Sequence, residues 1–226
     1  YGIRLLVTDA TTKSALSGVG VVITDLKTSG NLINETTKAS GEVSKQLKNY
    51  NKGDELTLKI ELSAPGYLKK VVEYKGRIDQ AGVIQLHEKL NVELQAVALG
   101  GDLAKMLSIK PIYFDLGKYN IRKDAAIELD KIVKVMNENP TMVIELGSHT
   151  DCRSSVQFNQ TLSSNRAKAS AEYIQKRISN PSRIYGKGYG ESKLLNDCGC
   201  EGTVKSNCTE EQHQLNRRTE FIIIKM

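Results

Sequence analysis

Gly147 to Ala167 reads G-S-H-T-D-C-R-S-S-V-Q-F-N-Q-T-L-S-S-N-R-A. It follows an apolar run, Met142 to Leu146, which predicts a strand, and it passes through a short polar loop into a predicted helix. On that helix Asn159, Ser163 and Arg166 fall at i, i+4 and i+7, so they stack on one face. Ala167, Ala171, Ile174 and Ile178 form an adjacent face of small and apolar residues, expected to be buried. Asp151 at the strand end and Arg166 on the helix are expected to converge on one small zwitterion. Both are expected to be partly exposed and outside the apolar stripe.

Outward from this stretch, residues 109–226 alternate strand and helix. Ile109 to Asp115 predicts a strand, and Ala125, Leu129, Ile132, Val133 and Met136 mark a helix by their spacing. Asn139-Pro140 stops that helix. Arg183 to Tyr189 predicts a third strand, a cysteine-bearing loop follows, and Arg218 to Lys225 predicts an apolar last strand. The expected class is α+β, a sheet covered by helices on one face.

Residues 1–90 have another rhythm. Residues 3–9 and 18–25 predict strands, Leu56 to Ser63 alternates apolar and polar, and turn signals recur at Ser29-Gly30-Asn31, Ser40-Gly41 and Asn51 to Asp54. Such spacing predicts an all-β sandwich. Residues 91–108, broken by Gly100-Gly101, are expected to be a linker between the two domains.

Composition excludes several classes. The chain has 226 residues, 39% of them hydrophobic, enough for ordinary cores in one or two domains. No apolar run reaches the roughly 18 residues of a membrane span. A chain that begins Tyr1-Gly2 without Met is expected to be a mature or truncated piece. The net charge of +6 is spread along the chain, 13 Lys plus Arg against 11 Asp plus Glu in residues 1–95 and 19 against 15 in the rest, so no nucleic-acid footprint is expected. Cys152, Cys198, Cys200 and Cys208 all lie in the second half. An even count gathered in loops points to disulfides and an oxidising compartment. Zinc, with His213 as a further ligand, is the rival, but the C-x-C spacing does not match common structural sites.

With these residues stated, H-T-D followed by N-x-x-L-S-x-x-R-A resembles the signature of OmpA C-terminal-like domains, the family that includes the peptidoglycan-associated lipoprotein. Tyr113 to Tyr119 resembles the family's first strand and loop, and Asn216-Arg217-Arg218 its closing N-R-R; Ser148 and Ser170 depart from the usual Gly and Val. The resemblance implies a βαβαββ domain over residues 109–226 that holds the diaminopimelate of a peptidoglycan stem peptide without covalent bonds. It implies Asp151 on the ammonium, Arg166 on the carboxylate, Thr150 and Asn159 on the peptide, Phe114, Asp115 and Leu162 lining the groove, and Ser163 and Arg217 beside them. A planar guanidinium suits a carboxylate because it can hold both oxygens at once. Residues 1–90, with V-x-D-x-x-T, G-V-x-V and A-P-G-Y, resemble the carboxypeptidase regulatory-like (transthyretin-like) β-sandwich. Nothing there looks catalytic. If the loops after the second and third strands lie at one sheet end, Cys152 is expected to pair with Cys198 or Cys200; three pairings are open.

Other local signals are weaker. Ser148, His149 and Asp151 carry the letters of a hydrolytic triad, but neighbours on a strand point in alternate directions. Gly186-x-Gly188-x-Gly190 has no helix following it to receive a phosphate. The expectation is therefore a non-enzymatic cell-wall anchor, without cofactor or metal, at the outer membrane and periplasm, with peptidoglycan and other envelope proteins as partners. The two modules together resemble outer-membrane-associated proteins of Bacteroidetes-type bacteria, among them PorE-like components of a type IX secretion apparatus. The competing classes are a pure interaction scaffold and a flagellar-stator-like wall anchor.

Overall fold

The computed structural model describes residues 1–226, which form two compact units, Tyr1–Val97 and Ala98–Met226. In the first unit the alternating segments become strands: β1 Gly2–Leu6, β2 Thr8–Asp9, β3 Gly20–Asp25, β4 Gly30–Thr36, β5 Glu42–Gln46, β6 Glu55–Ser63, β7 Lys70–Arg77, β8 Val83–Gln85 and β9 Glu93–Leu94. They make a sheet of order β5-β1-β8, a sheet of order β4-β3-β6-β7 and the short pair β2-β9. Leu56, Leu58, Ile60 and Leu62 of β6 all face inward, as a period of two requires, and join Ile3, Leu5, Val21 and Ile23 in one apolar cluster. Each such residue contributes about 1.5–3 kcal/mol by leaving water. The single strand expected over residues 3–9 is split at Val7. Asp9 then turns the chain, its carboxylate accepting the backbone N–H groups of Thr11 and Thr12 and the Tyr67 hydroxyl.

The expected linker over residues 91–108 contains two short elements. Its first part is β9, paired with β2, and its later part is the short helix α1, Leu103–Met106, capped by the Asp102 carboxylate. The second unit continues with α2 Lys123–Glu138, β10 Val143–His149, α3 Val156–Gln175, β11 Ile184–Gly190, α4 Glu210–Asn216 and β12 Thr219–Lys225. Its sheet has the order β11-β10-β12, with β11 parallel and β12 antiparallel to the central strand. The unit is therefore mixed, with helices between strands as expected, but two elements differ from the βαβαββ expectation.

Ile109 to Asp115 forms no strand. The outer edge of β12 is already taken by the preceding segment: Gly100 N–H donates to the Ile223 carbonyl, Ile223 N–H to the Gly101 carbonyl, and Phe221 N–H to Asp102 Oδ1. Pro111 lacks a donor as well, and Lys110 N–H goes instead to Glu128 of α2. The second difference is α4, which occupies part of the expected cysteine loop. Its start is a capping box, with the Thr209 hydroxyl on Gln212 N–H and the Gln212 side chain on Thr209 N–H.

Two devices hold α3 and α2 in place. Gly186 and Gly188 let α3 lie directly on β11, because a Cβ on them would sit 2.4 Å from the Ala167 carbonyl oxygen and 2.3 Å from Ser164 N. The G-x-G-x-G run is thus a contact surface for a helix. Arg183 is buried and donates through Nη1 to the carbonyls of Met136 and Asn139 at the C-terminal end of α2 and of Met142 just before β10.

Candidate functional site

The site forms where β10 ends and α3 begins. Ser155 caps α3 by accepting Phe158 N–H at 3.1 Å. Asn159, buried in the first turn of the helix, donates to the Asp151 carbonyl at 3.0 Å and to Glu191 at 2.5 Å. Ser163, fully buried one turn on, accepts Gly190 N–H at 2.8 Å, and Thr150 N–H donates to the Gly190 carbonyl at 2.9 Å. Asn159 and Ser163 therefore clamp the loop and the end of β11. They share the predicted helix face, but the Asn159 amide and the Ser163 hydroxyl serve the fold, and Ser163 does not line the cleft.

Asp151 is 8% exposed, a correction to the expectation of a partly exposed carboxylate. It accepts Arg153 N–H at 3.0 Å, Arg153 Nη2 at 2.8 Å and Arg217 Nη1 at 2.6 Å. Burial alone pushes its carboxyl up; the hydrogen bonds from Arg153 and Arg217 outweigh that and bring it to about 2. Glu210 closes the group, bound to Arg153 at 2.6 Å and to Arg217 at 2.5 Å, and both lower its pKa. Two carboxylates and two guanidinium groups thus form a ring without net charge. Residue motifs find Asp151 and Arg217, while Arg153 and Glu210 were missed. Arg153 stood in the motif itself, and the T-x-x-Q box at Thr209 was a legible signal for the helix that presents Glu210.

Arg166 is outside this ring. Half-buried on α3, it donates from Nε to the Lys118 carbonyl at 3.1 Å and from Nη2 to the Asp115 carbonyl at 3.4 Å, and it lies over the Phe114 ring at 5.0 Å. It makes no ion pair. Burial, reinforced by the nearby Arg217 charge, lowers its pKa. Asp151 and Arg166 do not pair with each other; Asp151 is held by Arg153 and Arg217. Phe114 supports Arg166 from beneath, and the Asp115 carboxylate turns away to Arg122 at 3.3 Å, so neither lines the groove as expected.

Between these groups opens a cleft of about 570 Å³, lined by Thr150, Asp151, Arg153, Asn159, Leu162, Arg166, Lys205, Glu210 and Arg217, with Leu116, Gly117, Ser154 and Phe158 also on its wall. Leu116 is 99% exposed. The Thr150 hydroxyl is buried without a partner. Cys152–Cys200 and Cys198–Cys208 are disulfides, so the loop after β11 is fastened beside Asp151. His149 makes no triad: it is buried, stacked on Tyr189 at 5.0 Å and 3.1 Å from Glu220.

Comparison with known proteins bears on this unit. The chain is 29% identical over 131 residues to photosystem I P700 chlorophyll a apoprotein A2 of Gloeobacter violaceus, covering 58% of this chain and 15% of that one. It is 30% identical over 87 residues to the peptidoglycan-associated lipoprotein of Rhizobium meliloti, covering 38% of this chain and 49% of that one. It thus spans less than half the length of these relatives. Among solved structures, the peptidoglycan-associated lipoprotein of Burkholderia pseudomallei aligns at 19% identity and a TM-score of 0.42, covering 52% of this chain and 92% of that one. Residues 113–207 match the OmpA family model, and the second unit of this chain carries an OmpA-like domain.

Proposed function

We propose that this chain binds peptidoglycan without covalent bonds, holding the diaminopimelate zwitterion of a stem peptide in the 570 Å³ cleft. The observation that carries this reading is Arg166, a half-buried cation that no carboxylate of the chain neutralises. Desolvating a charge without a partner is costly, and a ligand carboxylate supplies what is missing. Asp151 is the complementary anion. Its two oxygens offer about four acceptor positions, and three hydrogen bonds occupy them, which leaves one for a ligand ammonium. Thr150 also lines the cleft, beside Asp151. The OmpA-like domain and a relative that bears the name peptidoglycan-associated lipoprotein support wall binding and a place in the bacterial envelope, at the outer membrane and periplasm.

The role is that of an anchor. Cleavage of a glycan needs a carboxylic acid of raised pKa, and both carboxylates of the cleft are held low by arginines. We read the first unit as a carboxypeptidase regulatory-like β-sandwich that joins the anchor to other envelope proteins. The pairing of the two modules supports a component of a type IX secretion apparatus.

Pulldown with purified diaminopimelate-type sacculi tests the binding. Arg166→Ala is expected to remove nearly all of it, because a ligand carboxylate left desolvated costs roughly 2–5 kcal/mol. Arg166→Lys is expected to restore little, since an ammonium cannot hold two loop carbonyls and a carboxylate in one plane. Arg166→Ala that pulls down with sacculi like the parent, its melting curve intact, sinks the proposal.

A further inference from the structure

The zwitterion assigned above brings one positive and one negative charge, but the cleft that receives it is not neutral. Its lining holds four cations, Arg153, Arg166, Lys205 and Arg217, against two carboxylates, Asp151 and Glu210, an excess of two positive charges. The ring of Arg153, Asp151, Arg217 and Glu210 cancels internally. Arg166 is assigned to the zwitterion's carboxylate. Lys205 remains, and it pairs with no acidic group of the chain.

The placement of Lys205 is held by covalent and backbone constraints. The Cys198–Cys208 bridge closes the loop that carries it, and Cys152–Cys200 ties that loop to the residue beside Asp151. Glu201 and Val204 exchange two backbone hydrogen bonds, closing a turn immediately before Lys205. A cation on a loop ordered in advance loses less freedom when a ligand arrives than one on a free loop.

Resting on the peptidoglycan reading of the cleft, we infer that Lys205 is a specificity-determining residue that pairs with a second carboxylate of the stem peptide, outside the diaminopimelate zwitterion. The cleft then prefers peptides in which that carboxylate is free over those in which it is a carboxamide. An amide keeps the shape of the group and loses its charge, so the discrimination is electrostatic. Two groups of a stem peptide have this chemistry, the D-glutamyl α-carboxylate and the C-terminal carboxylate, and separate probes distinguish them.

The experiment is calorimetric titration of the full chain with three tetrapeptides: all carboxylates free, the D-glutamyl carboxyl amidated, and the C-terminus amidated. One amide is expected to bind the parent about 2- to 5-fold more weakly than the free peptide, the size of a rim ion pair, and the difference should grow as salt is lowered. Lys205→Ala is expected to erase that difference while keeping residual binding and an unchanged melting temperature; Lys205→Arg should retain it. Equal binding of all three peptides by the parent, or a parent-like preference in Lys205→Ala, overturns the inference and leaves the wall-binding reading standing. A parent that binds none of the three overturns both.

Discussion

Glu220 lies in β12, a stretch expected only to be an apolar strand, and its chemistry is set by its partners. Its carboxylate accepts from Arg218 Nε at 2.7 Å and faces His149 Nε2 at 3.1 Å. The His149 contact is the largest cause of its depressed pKa, burial opposes it, and Arg218 adds to it, bringing the group to about 2 from 4.5. A depressed folded-state pKa contributes stability that is present above the unfolded value and lost as pH falls through the folded one. Asp151, also at about 2, acts in the same sense. Stability is therefore expected to fall between about pH 4.5 and 2. Glu220→Gln should lower stability at pH 7 by roughly 2–3 kcal/mol and flatten the profile across that window. Urea melts of both proteins from pH 2 to 7 check this, and superimposable pH profiles would refute it. The same residue-scale logic separates Asp151 from Arg166. Asp151 is buried in a charge ring, so its loss unsettles the fold as well as the site, whereas Arg166 meets only carbonyls and a ring face.

At the scale of elements, the contact of α3 with β11 has the least slack. Gly188→Ala puts a methyl 2.3 Å from Ser164 N, a backbone atom of a 20-residue helix, so the helix must shift. The expected loss is about 1–3 kcal/mol or more. Because α3 also carries Arg166 and Asn159, sacculus binding should fall with it. A Gly188→Ala protein with the parent's melting temperature would show that the helix and strand are not so closely opposed. The disulfides work on the next element along. Cys152–Cys200 spans 48 residues, and its removal by paired Ser substitutions is expected to cost roughly 2–4 kcal/mol through the freedom regained by the unfolded chain. The variant should also release the loop bearing Lys205 and weaken binding. Melting with and without a dithiol reductant, together with pulldown, measures both.

For the molecule as a whole, two compact units are expected to give two unfolding transitions, and the melting temperatures that decide the Arg166, Gly188 and Lys205 variants are those of the second unit. Every residue lining the cleft belongs to the second unit. Ile60→Ala, in the core of the first, is expected to cost about 2–5 kcal/mol there and to leave sacculus binding at the parent level. Loss of binding in that variant, with the second transition unmoved, would show that the first unit takes part in recognition.

The local code of the chain was legible in the sequence. Period-two alternation marked β6, a 3.6-residue period marked α2 and α3, and the ordered motifs around Asp151 and Arg166 marked the neighbourhood of the cleft. These are properties of neighbouring residues, and neighbours are what periodicity reports. Partnerships were a different matter. That residues 109–115 stay unpaired follows from competition for the edge of β12, which Gly100 to Asp102 already holds. That Asp151 meets Arg217 and Arg153 meets Glu210 joins groups 66 and 57 residues apart. Such choices depend on which donors reach which acceptors once the sheet, the helices and the two disulfides are in place, and no stretch of sequence contains that distance by itself.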